Sequence, residues 1–310
     1  MLPSLVIAAD WSKDPKKCWM CIAQLDANGT YKVQAPSLVP SDFAAWLVSR
    51  VVDGDCIVVG LDFPIGLPFE YARLANLSNF TDALRDFGMG HWQQFYEVAA
   101  TAAEISLYRP FYPNRPGNTQ KSHLYEALGT SALYRICDQK TVNRNAAGEI
   151  FWTLGAKQVG KAALHGWRTL IQPLLGTMGE KLKLWPFAGE LFSLFAPDTL
   201  VLAEIYPAEF YHHVGIRLQG LSKRKRLDRL QNAQPMIDFA NGIGVSLSSE
   251  ALGVINDGFG MDRHGEDRFD ACVGVLGMLN VVLKNRDEGT PDIPKVRTVE
   301  GWILGQAYSG

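Results

Sequence analysis

Three continuous apolar runs, each ending in a carboxylate, dominate the hydrophobic pattern of this chain. They extend from Leu5 to Asp10, from Cys56 to Asp62 and from Leu200 to Glu204. Continuous apolar runs of this length predict strands that are covered on both faces, as in a parallel sheet. Ligands bind just beyond the carboxyl ends of such strands. We therefore expect the three acids to lie together at one edge of a sheet.

The segments around the first two runs predict antiparallel strands and one crossover helix. A strand is predicted from Lys17 to Leu25, and Asn28-Gly29 is the strongest short signal for a hairpin. Thr30 to Val33 should therefore return antiparallel to that strand. A helix is predicted from Asp42 through about Val52, ahead of a strand from Asp55 to Asp62. Antiparallel strands joined by a helix to a buried strand indicate a mixed sheet and the α/β class.

A predicted helix near the C-terminus carries a second set of acids. Asp267 and Asp270 are three residues apart, so they share a helix face. Gly274 and Gly277 continue the same stripe, and a glycine inside a helix costs up to about 1 kcal/mol relative to alanine. Close packing of this helix on small strand residues such as Ala8 would explain the glycines and would bring both aspartates to the strand ends. The alternative is that the acids only favour the positive end of the helix.

The segment of about 69–198 is predicted to be a large helical insertion between the fourth and fifth strands. We expect it to form a cap over the acids, which would favour a single strand, a flipped base or a small nucleotide over an unbent duplex. The alternative is a remote lobe that serves as a dimer surface. Predicted helices of the insertion and of the C-terminal part are Asp82 to Phe87, His91 to Ile105, Ser122 to Cys137, Lys157 to Leu175, Ser222 to Ala240 and Asp267 to Lys284.

Composition sets only loose limits on function. The chain has 310 residues with 30 basic and 32 acidic side chains, and this net charge of −2 implies no global electrostatic partner. A local basic patch for nucleic acid remains compatible with it. No run reaches 18 apolar residues, and the N-terminal run has no basic region ahead of it, so neither a membrane span nor a signal peptide is predicted. The five scattered cysteines are typical of a reducing cytoplasm.

Basic side chains in two regions are candidates for substrate contact. Lys223, Arg224 and Arg226 belong to a run of four cations at the start of a predicted helix. Cations there oppose the helix dipole, and phosphate contact would compensate. Arg109 and Lys121 lie among aromatic residues of the insertion, a pattern typical of single-stranded nucleic acid binding. A solvated basic surface explains both regions equally well.

Taken together, these motifs resemble the ribonuclease H-like superfamily. The features that carry this resemblance are strand-terminal Asp10, Asp62 and Glu204 and the helical Asp267-x-x-Asp270. Shorter motifs are similar to one family within it, domain of unknown function 429, a family of predicted ribonuclease H-like nucleases. These motifs are Asp62 to Pro68, Glu204 to Pro207, Asp270-Ala271 and Glu300 to Gly305. They span nearly the whole chain, so residues 1–310 are expected to form a single domain.

The resemblance implies a five-stranded mixed sheet flanked by helices. In this sheet the first three strands are antiparallel, and strands one, four and five run parallel. The resemblance also implies that Asp10 is the central metal ligand, with Asp62 on the fourth strand and Asp270, together with Asp267, as the C-terminal acids. Glu204 has no settled counterpart in the superfamily pattern, although it is a candidate catalytic residue.

The predicted function is a metal-dependent phosphodiester hydrolase that acts on nucleic acid or nucleotides. Three converging acids repel unless a positive group lies between them, and carboxylates without histidine or cysteine suit Mg²⁺ or Mn²⁺. In a two-metal mechanism, ions about 3.5–4 Å apart activate water and stabilise the leaving oxygen. One alternative is a non-catalytic binding module that kept the fold. Another is an actin-like ATPase or sugar kinase, which needs a glycine-containing phosphate loop, whereas the loop from Trp11 to Pro15 has no glycine.

Overall fold

One mixed sheet of eight strands lies at the centre of the protein. The computed structural model describes residues 1–51, 54–155 and 159–308. The strands are β1 (Leu5–Asp10), β2 (Trp19–Leu25), β3 (Tyr31–Val33), β4 (Ser37–Leu38), β5 (Cys56–Leu61), β6 (Leu182–Leu184), β7 (Thr199–Glu204) and β8 (Ser246–Leu247). Their order across the sheet is β6-β7-β5-β1-β2-β3-β8, and β4 pairs with β2.

The strand directions are those of a mixed sheet. Strands β1, β5 and β7 run parallel at the centre, whereas β1, β2 and β3 pair antiparallel. The α/β class and the mixed sheet are confirmed. The predicted number of five strands is wrong, because β4, β6 and β8 also join the sheet. These strands have only two or three residues, too few to show an apolar pattern of their own.

Helices cover both faces of the sheet. The described residues form α1 (Phe43–Arg50), α2 (Phe69–Leu74), α3 (Phe80–Asp86), α4 (Ser122–Leu128), α5 (Val159–Gly166), α6 (Gln172–Met178), α7 (Pro207–His213), α8 (Arg226–Leu230), α9 (Ala233–Gly242), α10 (Ser249–Asn256) and α11 (Gly265–Val282). A π-helical turn, Trp167–Ile171, joins α5 directly to α6, and a second one spans Val296–Glu300. Val52 and Lys157, which bound two of the predicted helices, lie outside the described residues.

Two predicted helices of the insertion are largely absent from the segment the structure describes there. Between His91 and Ile105 only short 3₁₀ and other turns form, and the Ala99 amide donates to the Phe111 carbonyl of another segment at 2.7 Å. The helix predicted from Ser122 to Cys137 ends at Leu128. Gly129 follows with a left-handed φ of 68°, a conformation that ends many helices and favours glycine.

The helix predicted from Ser222 to Ala240 is divided into α8 and α9, and α8 begins only at Arg226. The break between the two helices lies at Asn232. Its side-chain amide donates to the carbonyls of Arg217 and Asp228, at 3.2 and 3.0 Å. A side chain that bonds to nearby backbone in this way competes with continuation of the helix. Lys223 and Arg224 therefore lie in a turn and not on a helix.

Successive strand residues contribute to two separate apolar clusters, one on each face of the sheet. Val6, Ala8, Val58 and Ala203 belong to the cluster that contains α7 and α11. The residues between them along each strand belong to the cluster that contains the insertion. Because side chains alternate along a strand, the register decides which face each strand-end acid reaches. Glu204 pairs with Leu61, a residue of the insertion face, and not with Asp62.

The segment 296–306 packs back against the sheet and the insertion. The Leu304 amide donates to the Glu204 carbonyl at 2.9 Å, and the Leu67 amide donates to the Val299 carbonyl at 2.9 Å. Buried Glu300 accepts hydrogen bonds from the amides of Phe69 (3.3 Å) and Ile136 (3.0 Å). This one segment therefore joins the start and the middle of the insertion to β7, the strand that follows it.

Candidate functional site

Asp10 and Asp62 lie side by side at the carboxyl ends of two parallel strands. Asp10 is the last residue of β1, and Asp62 directly follows β5. The Asp62 amide donates to the Ala9 carbonyl at 3.0 Å, which fixes the two strand ends together. Both acids continue the positions that face α11. The structure therefore brings these two predicted site residues together.

Helix α11 brings Asp270 to the same edge of the sheet. A side-chain carbon at Gly274, one turn further along, would lie 2.9 Å from Cβ of Ala8, so the glycine lets α11 approach β1 as predicted. Gly277 instead faces the ring of Phe210 on α7, so the expected contact with the sheet is wrong for this glycine. Asp270 is buried and accepts a hydrogen bond of 2.5 Å from the Tyr211 hydroxyl.

The strand-end acids repel one another strongly. Burial raises the pKa of Asp10 well above its usual value, and the charges of Asp270, Asp62 and Asp267 raise it further. Burial also raises the pKa of Asp62 to about 7, with Asp270 as the next contributor. Asp267 is more peripheral and bonds to Nδ1 of His264 at 3.2 Å. The four carboxylates thus form one electrostatic cluster, hereafter the acid cluster, that would stabilise a cation.

The Lys223 ammonium supplies a positive charge to the acid cluster in this structure. It bonds directly to Asp270. Burial opposes its charged state, but the carboxylates of Asp270, Asp10 and Asp62 raise the pKa of Lys223 above its usual value. Lys223 was predicted to contact substrate phosphate, and its position adds a second role. Part of the charge compensation that the sequence attributed to a metal comes from this lysine.

The donor set suits Mg²⁺ or Mn²⁺, because both prefer carboxylate oxygens. The spacing is looser than in a closed ion site. Within the described ranges, the one trio of potential ligands whose atoms lie within 4.8 Å of one another is Cys137, Asp138 and Glu204. A metal at the acid cluster would therefore require its carboxylates to approach more closely and the Lys223–Asp270 contact to open.

Glu204 belongs to a buried ion-pair network on the opposite face of the sheet. Arg135, which is fully buried, donates to both oxygens of Glu204, at 2.6 and 2.7 Å, and also to Asp138 at 2.8 Å. Glu204 additionally accepts from the Ile65 amide at 2.7 Å. Burial raises the pKa of the neighbouring Cys137 thiol, which disfavours the thiolate that a metal needs. We interpret the trio around Arg135 as structural, so Glu204 lies outside the acid cluster.

A cleft of about 850 Å³ opens beside the acid cluster. Asp62 and Lys223 form part of its lining, and Trp11 lies on the insertion side. Asn114 and Lys161 of the insertion also line it, and the Trp11 indole donates to Nδ1 of His165 at 3.2 Å. Side chains of the insertion therefore do reach the cleft, in the position expected of a cap.

The other predicted substrate contacts are engaged elsewhere. Arg224 is largely exposed and lies 3.6 Å from Glu266. The remaining three form closer ion pairs: Arg226 with Asp257 at 2.5 Å, Arg109 with Glu104 at 2.8 Å and Lys121 with Glu149 at 2.6 Å. None of these four cations is among the described residues that line the cleft. Lys223 is the one predicted contact that the structure brings to the acids.

Three lysines of the cleft were missed in the sequence. Lys13 and Lys17 follow β1, and Lys161 lies on α5. The first two could have been found, because the loop after a strand that ends in a site residue forms the rim of that site. Lys161 could not, since only tertiary packing brings α5 to this edge.

Comparisons with protein-family models, curated proteins and solved structures find no match for this chain. Among the described residues, no helix combines the length and the apolar character needed to cross a membrane.

Proposed function

We propose that this protein is a metal-dependent phosphodiester hydrolase that acts on nucleic acid or nucleotides. The observation that carries the proposal is the meeting of Asp10, Asp62 and Asp270 at the carboxyl edge of the central parallel strands. The directions of β1, β2, β3, β5 and β7 agree with those implied by the ribonuclease H-like resemblance and support it. Glu204 is left out of the proposed catalytic set because it is paired with Arg135.

In this proposal the acid cluster holds the metal and the cleft binds the substrate. Asp10, Asp62 and Asp270 would bind Mg²⁺ or Mn²⁺, which when bound supplies an activated water and stabilises the leaving oxygen. Lys13, Lys17 and Lys161 line the cleft and would pair with phosphate oxygens. Trp11 lines the same space and offers an aromatic face on which a base can stack. Lys223 would leave Asp270 when metal binds and would then also be free to contact phosphate.

The experiment is a cleavage assay with single-stranded, duplex, hybrid and branched substrates in Mn²⁺. We expect slow cleavage that is abolished by Asp10→Asn and by Asp62→Asn, because either change removes a proposed ligand. Asp292→Asn is the matched control, since Asp292 is exposed and does not line the cleft. Cleavage that persists in both site variants would refute the assignment of these residues.

A non-catalytic binding module is the second candidate function. It is favoured by the Lys223–Asp270 contact, since an acid cluster that already holds an ammonium has less need of a metal. In that case the cleft lysines would still bind nucleic acid, and Mn²⁺ would not change the melting temperature. Binding of a single-stranded oligonucleotide without cleavage on any substrate of the panel would support it.

A further inference from the structure

A second pocket of about 620 Å³ lies apart from the acid cleft and shares none of its lining residues. It is formed by the end of α3, the loop that follows α3, and the helical run from the π turn into α6. Its volume is within the range of small-molecule sites, roughly 300–1,000 Å³. Apolar side chains on its walls include Phe87, Met89 and Leu175. The pocket thus combines adequate size with an apolar surface.

Two cations of this pocket have no carboxylate partner in the part of the chain that the structure describes. Arg85 and Arg168 both line it, and neither has a carboxylate within 4.0 Å among residues 1–51, 54–155 and 159–308. Tyr96 also lines the pocket and is 7% exposed, and its buried hydroxyl has no hydrogen-bond partner among the described residues. Arg168 is close enough to lower the pKa of Tyr96 against the larger effect of burial. Both arginines are exposed, so a ligand in the pocket can reach their guanidinium groups.

The walls of the pocket are held in place before any ligand arrives. The side-chain amide of Gln172 donates to the carbonyls of Leu84 and Phe87, at 2.5 and 2.8 Å. It thus holds α3 and the loop that follows it against α6. The Phe87 ring stacks on Phe95 with a centroid distance of 3.5 Å and an angle of 12° between the rings. A preformed site loses less conformational entropy on binding.

We propose that this pocket binds a small organic anion with an aromatic or aliphatic body. The acidic group of the ligand pairs with Arg85 and Arg168, which both line the pocket. Its apolar body packs on the walls of the pocket. Glu97 also lines the pocket, so a ligand with one acidic group fits better than a polyanion such as a triphosphate. This site is independent of the proposed hydrolase activity.

The first test uses the fluorescent aromatic anion anilinonaphthalene sulfonate and its neutral analogue phenylnaphthylamine. We expect saturable binding of one sulfonate dye per chain to the full-length protein. Arg85→Gln and Arg168→Gln should each weaken binding of the anion by about tenfold, because each removes a charged hydrogen-bond donor. Binding of the neutral dye should change by less than about twofold. Arg263→Gln is the matched control, since Arg263 is exposed and lies outside the pocket.

A blocking variant makes the test independent of charge. Gly176 lines the pocket, and a side-chain carbon there would meet no atom within 4 Å. Because the first carbon of a side chain fits there, Gly176→Leu should occlude the pocket and abolish binding of both dyes, with the cooperative melt retained. Asp10→Asn should bind the dyes as the wild type does, whatever the outcome for hydrolysis. Unsaturable binding, or equal affinity in the arginine variants and the control, would overturn the proposal.

Discussion

Replacing Lys223 by methionine separates the two interpretations of the acid cluster. In the structure the ammonium bonds to Asp270 and opposes the repulsion that raises the pKa of Asp10. Removing one partner of a buried ion pair costs about 3–5 kcal/mol, whereas a fully exposed pair contributes about 0–1 kcal/mol. Of the two side chains, 38% of Lys223 but only 5% of Asp270 is exposed. We therefore expect an intermediate loss of about 1–3 kcal/mol in the free energy of unfolding.

This loss should be visible as a lower melting temperature without metal. Unfolding entropy is about 2.1 cal/mol/K per residue, or roughly 0.65 kcal/mol/K for 310 residues. Lys223→Met should therefore melt about 2–5 °C below the wild type in a chelating buffer. Lys223→Arg keeps the charge and should melt within about 1–2 °C of the wild type. Differential scanning calorimetry at pH 8 is suitable, since the pKa of Asp62 is about 7 and the carboxylate is then ionised.

Addition of Mn²⁺ should stabilise Lys223→Met more than it stabilises the wild type. A ligand at a hundred times its Kd stabilises by about 2.7 kcal/mol, equivalent here to about 4 °C. In the wild type the ion competes with the ammonium for Asp270, so the increase in melting temperature should be larger in Lys223→Met. Asp10→Asn should respond much less than either. An increase in Lys223→Met no larger than in the wild type would refute the competition, and no increase in either protein would refute the metal site.

Three further predictions concern stability. Arg135→Met should lower the free energy of unfolding by about 3–5 kcal/mol in denaturant titration, because it leaves buried carboxylates unpaired. Arg73→Met, at an exposed ion pair, should lower it by at most about 1 kcal/mol, and similar losses in both variants would contradict the prediction. Gly274→Ala should lower the free energy of unfolding by about 1–3 kcal/mol through overpacking. Gly253→Ala adds a carbon that meets no atom within 4 Å and should raise the free energy of unfolding by about 0.5–1 kcal/mol. A change of the same sign in both variants would contradict close packing of α11. Burial and a bond with a neighbouring glutamate raise the pKa of Glu288 to about 8, so the folded protein holds a proton that the unfolded chain releases near its ordinary value of 4.5. The contribution of Glu288 to stability is therefore lost as pH rises from about 5 to 9. In pH-dependent melts, Glu288→Gln should lose about 1–2 kcal/mol less stability over this range than the wild type, and an equal loss in both proteins would contradict the prediction.

The centre of the sheet and α11 could be predicted because their signals are local. Apolar runs such as Cys56–Leu61 have a length and composition typical of a strand covered on both faces. The glycine stripe of α11 likewise requires a close neighbour, and the contact of Gly274 with Ala8 supplies it. From these elements the meeting of Asp10, Asp62 and Asp270 followed without any long-range information.

The position of Glu204 could not be predicted, because it depends on register. A shift of one residue between parallel strands moves a side chain to the opposite face. The pattern of β7 is apolar on both faces, so nothing in it indicates whether Glu204 pairs with Leu61 or with Asp62. Its partner Arg135 is 69 positions away along the chain.

The insertion was harder to predict for a related reason. The segment from His91 to Ile105 forms local turns, its Ala99 backbone bonds to Phe111 and Asn114, and its aromatic side chains pack on one another. The helix-like spacing of apolar residues in this segment arises from aromatic side chains that pack together without forming a helix. The role of Lys223 was equally hidden, since Asp270 lies 47 positions further on.

The segment 296–306 imposes an order on folding during synthesis. Glu300 completes the hydrogen bonds of Phe69 and Ile136, and Leu304 bonds to Glu204, yet this segment leaves the ribosome after all three partners. Until residues more than 160 positions later than Ile136 become available, these polar groups of the insertion and of β7 lack their native partners. Contacts at such separations slow folding and prolong exposure of apolar surface. We expect the nascent chain to depend on chaperones until this segment has emerged.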